Sequence, residues 1–238
     1  MKLSIVIPVF NEEKTIEILI KKVAAIDLSP MDKELIVVND ASRDKTSEKL
    51  LQLKKEIKDL QIFTHTANEG KGAAVRTGFE KATGEYIVIQ DADLEYDPKQ
   101  LVVLVKPIIQ KKAEVVFGTR LKGLPHVHGE MSRSRFLLHY IGNRFLSLVT
   151  SLLYGQWITD METCYKIFPK AALKKFTLSG NGFDFEPEIT AKLVKVGYKI
   201  VELPIVTQPR GYNEGKKLQT IPDGIKALLT LFKYRFLD

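Results

Sequence analysis

The sequence predicts a single α/β domain in which helices flank a mostly parallel central sheet. Short apolar segments typical of buried strands alternate with segments that have a helical apolar period. This alternation is the pattern that right-handed βαβ crossovers produce. The length of 238 residues suits one large domain better than two.

The predicted elements follow one another from the amino terminus. Strands are predicted at residues 3–8, 34–40, 62–63, 86–89, 114–118 and 200–206, with a further short strand after residues 160–162. Helices are predicted at residues 12–23, 43–57, 73–82, 98–110, 135–154 and 221–236, with another that opens at residues 183–188. Asn11 and Ser42 are candidate N-caps of the first two helices, because their side chains can accept a hydrogen bond from a free N–H group. The Gly70–Gly72 turn resembles a phosphate loop weakly, and a helix-packing turn is favoured.

Three acids spaced two residues apart follow the predicted strand 86–89. Asp91, Asp93 and Glu95 lie where the strand ends, and ligands of parallel sheets bind outside the carboxyl ends of the strands. Clustered carboxylates are costly unless a cation lies among them, and their oxygens are the ligands that Mg²⁺ and Mn²⁺ prefer. The alternative is that the acids are solvated and stabilise the amino end of the next helix.

Composition and charge restrict the class of protein. One cysteine, Cys164, excludes an internal disulfide, and the absence of an 18-residue apolar run predicts a cytoplasmic protein without a membrane span. The net charge of +7 is concentrated in residues 120–150 and 199–238. Concentrated positive charge favours an anionic partner, such as a nucleotide diphosphate, a phosphorylated acceptor or a lipid surface. A nucleic-acid-binding module is improbable, because acids line the predicted edge of the sheet.

Two predicted helices have unusual apolar surfaces. The helix at 135–154 is apolar on nearly all sides, which indicates either deep core or an interface with another subunit or a membrane, and its neighbouring arginines favour the interface. The helix at 221–236 has an apolar stripe with interspersed basic residues, so it packs on the core or lies on a membrane surface. Either helix would make the protein peripheral on the inner face of the cell membrane.

Several motifs in order resemble one family across nearly the whole chain. The sequence resembles the family-2 inverting glycosyltransferases of the GT-A fold, a Rossmann-like nucleotide-sugar-binding fold, and especially the polyprenyl-phosphate and dolichyl-phosphate sugar synthases. The matching segments are residues 7–12 (IPVFNE), 38–42 (VNDAS), 68–72 (NEGKG), 91–95 (DADLE), 118–120 (GTR) and 210–217 (RGYNEGKK). An Asp-x-Asp pair alone is weak evidence, but this ordered set is specific.

The resemblance implies a role for each matching residue. It implies that the nucleotide sugar is bound by Pro8, Phe10, Glu12, Asp40, Asp91, Ala92, Arg120, Arg210 and Lys216. It implies metal binding by Asp91, Asp93 and Glu95, where Glu95 replaces a glutamine common in dolichyl-phosphate mannose synthases. Asp93, Asp160 and Arg135 are the implied catalytic residues, and Arg135 is also a candidate phosphate ligand. Asn39 departs from the family, because an acid is common before Asp40.

The resemblance also implies a division of the chain and a reaction. Residues 1–120 would bind the nucleotide sugar, residues 121–220 would form the acceptor side, and residues 221–238 would form the amphipathic helix. A hexose, glucose or mannose, would pass from a UDP-sugar or GDP-sugar to a polyprenyl or dolichyl phosphate with the help of Mg²⁺ or Mn²⁺. The cation and basic side chains would stabilise the charge that develops on the leaving diphosphate.

The sequence is compatible with two classes of acceptor. A phosphate acceptor is already nucleophilic at neutral pH and needs no base, whereas a hydroxyl acceptor in polysaccharide or cell-envelope glycan synthesis needs one. Asp160 or Glu162 is the candidate base. A nucleotidyltransferase, which also uses acids at strand ends with a metal, is a further alternative. The sequence does not predict the oligomeric state.

Overall fold

The computed structural model describes residues 1–121, 133–208 and 220–237 of the chain. Within these residues, the strands of one sheet are β1 (Lys2–Val9), β2 (Asp32–Asn39), β3 (Leu60–Thr64), β4 (Tyr86–Ile89), β5 (Val115–Thr119), β6 (Lys166–Pro169) and β7 (Ile200–Pro204). The helices are α1 (Ile16–Ala25), α2 (Thr46–Glu56), α3 (Lys71–Lys81), α4 (Leu101–Leu104), α5 (Lys106–Ile109), α6 (Arg133–Tyr154), α7 (Phe185–Lys195) and α8 (Thr220–Phe236). Short 3₁₀ turns lie at Pro98–Gln100 and Lys170–Lys174.

The sheet is mostly parallel, as predicted. Its strand order is β3-β2-β1-β4-β6-β5-β7. Every neighbouring pair is parallel except the two that involve β6, which runs antiparallel to β4 and β5. Because β6 runs in the opposite direction, it begins at the edge where the parallel strands end. Residues 160–165, which precede β6, therefore lie at the carboxyl edge of the sheet.

The prediction that Asn11 caps the first helix is wrong. The helix α1 begins at Ile16, and Asn11 adopts a left-handed conformation with a φ of 51°. Its backbone N–H donates to the Ser42 hydroxyl (2.9 Å), and its side-chain carbonyl accepts from the Arg43 N–H (2.8 Å). Asn11 thus ties the loop after β1 to the loop after β2, and residues 12–15 form a turn instead of a helical start.

Two further predicted helices differ from the structure. Ser42 does not cap α2, which begins at Thr46, because the Ser42 hydroxyl accepts the hydrogen bond from Asn11. The predicted helix at 98–110 is divided into a 3₁₀ turn, α4 and α5. Pro107 supplies the physical reason, since proline lacks the N–H group that a continuous helix needs and its ring crowds the preceding turn.

The central strands and the helix starts at the carboxyl edge are held by close packing. In β1, every residue from Leu3 to Val9 is buried. Phe79 of α3 packs against Phe168 of β6 and Phe185 of α7, with ring centroids 5.5 and 5.9 Å apart. Aromatic pairs of this kind add about 1 kcal/mol each beyond the burial of their area. They hold α3 and α7 together beside the sheet.

The helices α6 and α8 pack against each other away from the central strands. The Tyr154 hydroxyl of α6 donates to the Leu231 carbonyl of α8 (2.7 Å), and the Lys192 ammonium of α7 lies 4.1 Å from the centroid of the Tyr234 ring. The predicted bounds of both helices are confirmed to within two residues. Among the described residues, no helix is both long and apolar enough to cross a lipid bilayer.

Candidate active site

The candidate site lies at the carboxyl edge, where β1, β2, β4 and β5 end. Pro8 is buried within β1, paired with Val38 of β2, and Phe10 is half-buried just beyond the strand. Glu12 is buried; its N–H donates to the Thr46 hydroxyl (2.9 Å), and its carboxylate accepts from Thr15 (2.8 Å). The loop after β1 is therefore rigidly attached to the start of α2.

Asp40, at the end of β2, organises the turn that precedes α3. The side chain is buried and accepts hydrogen bonds from the Glu69 and Gly70 N–H groups (2.9 and 2.8 Å) and from the Asn68 amide (2.9 Å). His65 Nδ1 lies 2.8 Å from the same carboxylate. These contacts use both carboxylate oxygens inside the protein, so the structure gives Asp40 a clear positioning role. Its implied contact with the nucleotide stays a prediction.

The Gly70–Gly72 turn is a packing turn, the interpretation that the sequence favoured. Gly70 has a φ of 97°, and a Cβ atom there would lie 2.3 Å from the Asn181 carbonyl oxygen. A Cβ on Gly72 would lie 2.2 Å from the Gly180 carbonyl oxygen, and the Gly72 N–H donates to Asn181 (2.8 Å). Only glycine permits this approach, which brings the first residue of α3 next to the first turn of α7.

The first acid of the Asp-x-Asp pair forms an ion pair with a lysine. Lys71 Nζ lies 2.9 Å from Asp91 Oδ1 and 2.8 Å from Glu186 Oε1. Burial opposes ionisation of Asp91, but Lys71 outweighs it and holds the pKa of the carboxyl below its usual value. Neither Lys71 nor Glu186 is among the site residues predicted from sequence. The sequence pattern indicates a site role for them only weakly, because Lys71 lies between two glycines and Glu186 has the position expected of an acid that stabilises a helix dipole.

Asp93 and Glu95 lie beyond this ion pair, both half-buried. The Glu95 N–H donates to Asp93 Oδ1 (3.0 Å), and the intervening Leu94 has a φ of 64°. The Glu95 carbonyl accepts from the Gln208 N–H (2.9 Å), which brings the chain just before residue 209 to this loop. Ala92 is buried beneath the same loop.

The three acids do not form a preassembled three-ligand metal site. Within residues 1–121, 133–208 and 220–237, no group of three or more His, Cys, Asp or Glu side chains is arranged to hold a metal. Asp91 is instead paired with Lys71. Asp93 and Glu95 keep the chemistry that a hard cation needs, since Mg²⁺ is typically held by one or two carboxylates with substrate phosphates and water. The metal assignment of Asp91, Asp93 and Glu95 stays a prediction.

Arg120 and Asp160 form a bidentate ion pair at the end of β5. Arg120 Nε and Nη2 each lie 2.7 Å from a carboxylate oxygen of Asp160, and the Arg120 N–H donates to the same group (2.9 Å). Asn143 of α6 donates a fourth hydrogen bond (3.0 Å). Asp160 has no exposed surface; burial opposes its ionisation, but Arg120 outweighs burial and lowers the pKa of the carboxyl. The Arg120 side chain is 26% exposed, and its guanidinium carbon lies 5.9 Å from the centroid of the Tyr96 ring.

Glu162 differs from Asp160 in protonation. Burial, and next the repulsion from Glu186, raise the pKa of Glu162 to about 7. Buried oxygens of Glu162 and Glu186 and the Thr163 hydroxyl have no hydrogen-bond partner among the described residues. Of the two candidate bases, Glu162 therefore has the pKa that suits proton transfer at neutral pH, whereas Asp160 is held by Arg120.

Three predicted site residues cannot be located at this edge. Arg210 and Lys216 lie outside the described residues. The backbone of Arg135 belongs to the first turn of α6, but its side chain also lies outside the described part. Their implied roles stay predictions. Asn39, the departure from the family pattern, is buried; its amide donates to the Ser47 hydroxyl (2.8 Å) and its carbonyl accepts from the Ser42 N–H (3.0 Å).

Comparisons with known proteins identify the fold and the family. The structure is similar to that of glucosyl-3-phosphoglycerate synthase from Mycobacterium tuberculosis in complex with Mn²⁺ and UDP-glucose, with a TM-score of 0.73 and 18% identity over 98% of this chain and 78% of that one. A structure of the same enzyme with Mn²⁺, UDP and phosphoglyceric acid gives a TM-score of 0.71, with 17% identity over 100% of this chain and 79% of that one. This similarity confirms the predicted GT-A fold.

Sequence relatives agree with this result. The chain is 31% identical to the uncharacterised protein MJ1222 of Methanocaldococcus jannaschii, over 95% of this chain and 89% of that protein. It is also 31% identical to the low-salt glycan biosynthesis hexosyltransferase Agl6 of Haloferax volcanii, over 93% of this chain but only 51% of that protein. A sequence model of the family described as Glycosyl transferase family 2 matches residues 4–177. The chain therefore belongs to glycosyltransferase family 2.

Proposed function

We propose that the protein transfers a hexose from a nucleotide diphosphate sugar to a polyprenyl phosphate. The proposal rests on the Arg120–Asp160 pair. The carboxylate of Asp160, one of the two candidate bases, is buried and committed to Arg120, while the Arg120 side chain is partly exposed at the end of β5. A cation whose partner carboxylate cannot act as a base suits an acceptor that is itself an anionic nucleophile. The similar glucosyl-3-phosphoglycerate synthase was solved with phosphoglyceric acid, a molecule that bears a phosphate group.

In this reaction a phosphate oxygen of the acceptor attacks the anomeric carbon as the bond to the diphosphate breaks. The acceptor oxygen is already deprotonated, so no side chain removes a proton. Residues 1–120 bind the donor, next to the loops that Glu12 and Asp40 hold in place by hydrogen bonds. Arg120 stabilises negative charge on a phosphate group.

A divalent cation fits the same edge. Asp93 and Glu95 supply hard oxygen ligands, which Mg²⁺ and Mn²⁺ prefer, and the similar solved structures contain Mn²⁺ or Mg²⁺ with UDP. When bound, the cation would stabilise the charge of the leaving diphosphate. Lys71 would keep Asp91 ionised and correctly placed beside the donor.

Transfer of radiolabel tests the proposal. UDP-glucose and GDP-mannose, each labelled in the sugar, are incubated with Mn²⁺ and a short polyprenyl phosphate, and the label in the organic phase is counted. We expect label from one donor, abolished by EDTA and by Asp93→Ala. Metal-dependent consumption of the donor in water without any organic label would refute the lipid acceptor and leave the family assignment intact.

A hydroxyl acceptor in glycan synthesis is the second candidate, favoured by the pKa of Glu162. A base of that pKa is ionised in half of the molecules near pH 7. Glu162→Gln would then lower transfer to a hydroxyl by about 10²- to 10⁴-fold, with the rate of the parent enzyme rising as the pH passes about 7. For the phosphate acceptor we expect a loss below about fivefold, because no proton is removed. Comparing Glu162→Gln with the parent on both acceptor classes separates the two functions.

A further inference from the structure

The outer face of α8 presents an apolar stripe to solvent. Ile225, Leu229, Phe232 and Phe236, spaced three or four residues apart, are between 43% and 67% exposed. The Phe232 and Phe236 rings stack with centroids 6.2 Å apart. The opposite face of α8 contacts the protein through other residues, Ala227, Leu231 and Tyr234, all of which are buried. The stripe is therefore additional to the surface that holds α8 in place.

The neighbouring helix α6 has a stripe of the same kind. Ile141, Phe145, Leu148 and Leu152 are between 46% and 75% exposed and also follow a spacing of three or four residues. Because α6 and α8 pack against each other, two apolar stripes lie on adjacent helices, and both are turned away from the core. Eight exposed large apolar side chains on two contacting helices exceed the isolated exposed residues that are ordinary on protein surfaces.

The charges around the stripes favour an anionic partner. At 3.6 residues per turn, Lys233 and Arg235 fall on opposite flanks of the α8 stripe, and both are exposed. The sequence of α6 contains no acid, and that of α8 contains only Asp223, which lies off the stripe. Two copies of this face placed together would bring positive charges close to one another, whereas an anionic surface would attract the basic side chains.

We propose that the exposed faces of α6 and α8 dock on an anionic lipid bilayer. The apolar stripes enter the headgroup boundary, and Lys233 and Arg235 extend from its margins towards lipid phosphates, the arrangement expected of helices that lie in the plane of an interface. The occupant we infer is the membrane and not a second copy of the chain. The inference rests on the proposed function only in that docking would bring the site to a lipid-linked acceptor.

Vesicle sedimentation with the full chain tests the apolar part of this surface. The vesicles contain phosphatidylcholine and phosphatidylglycerol at about two to one, with phosphatidylcholine alone for comparison. We expect the double variant Leu229→Ser, Phe232→Ser to lower the partition coefficient by about thirtyfold. Leu51→Ser is the matched control, because Leu51 is an equally exposed leucine (62%) on α2. Equal binding by the control and the double variant would overturn the proposal.

The charged flanks predict a second, independent difference. Lys233→Gln with Arg235→Gln should weaken binding to the anionic vesicles by about fivefold for each charge and leave binding to phosphatidylcholine unchanged. High salt should reproduce this loss. Vesicle binding that depends neither on the phosphatidylglycerol content nor on the salt concentration would contradict the role of the basic residues.

Two measurements separate this proposal from its alternatives. If light scattering shows a dimer that Leu229→Ser, Phe232→Ser converts to a monomer, a second copy covers the face and the membrane proposal is refuted. Transfer to a short polyprenyl phosphate in detergent distinguishes the two proposals. Transfer without vesicle binding overturns the docking surface alone, whereas vesicle binding without transfer to any polyprenyl phosphate overturns the proposed function alone.

Discussion

Asp160→Asn distinguishes a residue that positions Arg120 from a catalytic base. The carboxylate is fully buried and accepts four hydrogen bonds, three from Arg120 and one from Asn143. Asparagine has nearly the same shape, but it has one carbonyl oxygen and directs an NH₂ group at one of the Arg120 donors. The guanidinium therefore loses its counter-charge and one of the two hydrogen bonds of the bidentate pair.

Asp160→Asn should lower both the stability of the protein and the rate of transfer. Removing one partner of a buried ion pair costs about 3–5 kcal/mol, and because asparagine keeps part of the hydrogen bonding we expect the free energy of unfolding to fall by about 3 kcal/mol. A misplaced Arg120 would lose a charge-assisted hydrogen bond to phosphate worth about 1.5–3 kcal/mol. That loss corresponds to a decrease of kcat/KM by about 10- to 150-fold.

Urea unfolding measures the free energy of unfolding, and steady-state kinetics of transfer measure kcat and KM. If Asp160 acts through Arg120, the loss appears mainly in KM for the phosphate-bearing substrate, and the shape of the pH–rate profile does not change. Glu202→Gln is the control, because Glu202 holds the backbone of the same loop by accepting from the Thr159 and Asp160 N–H groups at 2.9–3.0 Å. It should lower stability with a much smaller effect on KM.

A double-mutant cycle gives the result that would refute this reasoning. If Asp160 works only by holding Arg120, then Arg120→Met and the double variant with Asp160→Asn should have nearly the same kcat/KM. A further loss of about 10²-fold or more on adding Asp160→Asn, together with disappearance of the acidic limb of the pH–rate profile, would show that Asp160 is a base.

Two other predictions concern buried charges. Lys71→Met leaves Asp91 and Glu186 without their shared cation, so we expect a loss of about 3 kcal/mol in the free energy of unfolding at pH 8. Without Lys71, burial would raise the pKa of Asp91, so the loss should be smaller at pH 5, and Lys71→Arg should restore most of it; a loss independent of pH would contradict the ion-pair assignment. Glu34 is buried, and although burial opposes its ionisation, hydrogen bonds from Lys2, Ser4 and Thr83 lower its pKa to about 2. Because this folded-state pKa is below the ordinary 4.5, the stabilisation is present above about pH 4.5 and is lost as the pH falls towards 2. Urea unfolding of Glu34→Gln should show a loss of about 2 kcal/mol at pH 7, after a discount for solvent screening at Lys2, that shrinks below pH 4; an unchanged difference at pH 3 would refute it.

Local patterns predicted the strands well and the helix starts less well. Apolar runs such as those of β1 and β4 indicate strands because a buried strand excludes polar residues on both faces. Asn11 and Ser42 have the right chemistry for caps, but they hydrogen-bond to each other's loop across the sheet edge. A cap prediction considers only neighbours along the chain, so it could not detect a partner 31 residues away.

The predicted site shows the same limit. The acids after β4 were identifiable because strand ends meet at one edge of a parallel sheet. Their ion pairing was not, because Lys71 reaches Asp91 and Glu186 only after α3 and α7 have packed through Gly70 and Gly72. The pairing of Arg120 with Asp160, 40 residues later, likewise depends on the antiparallel entry of β6.

The alternation of strand-like and helix-like apolar segments was enough to predict the α/β class and to place the acids after β4 at the carboxyl edge, because these properties depend on period and spacing. The family was identified separately, by the resemblance of its motifs. Tertiary packing determined which charges neutralise one another, which acid is protonated near pH 7 and which helix faces stay exposed. Those properties depend on distances between groups remote in sequence and on their removal from water. The sequence predicts that α6 is apolar on nearly all sides and that α8 has an apolar stripe, but only their packing shows that Ile141, Leu152, Leu229 and Phe236 are left exposed.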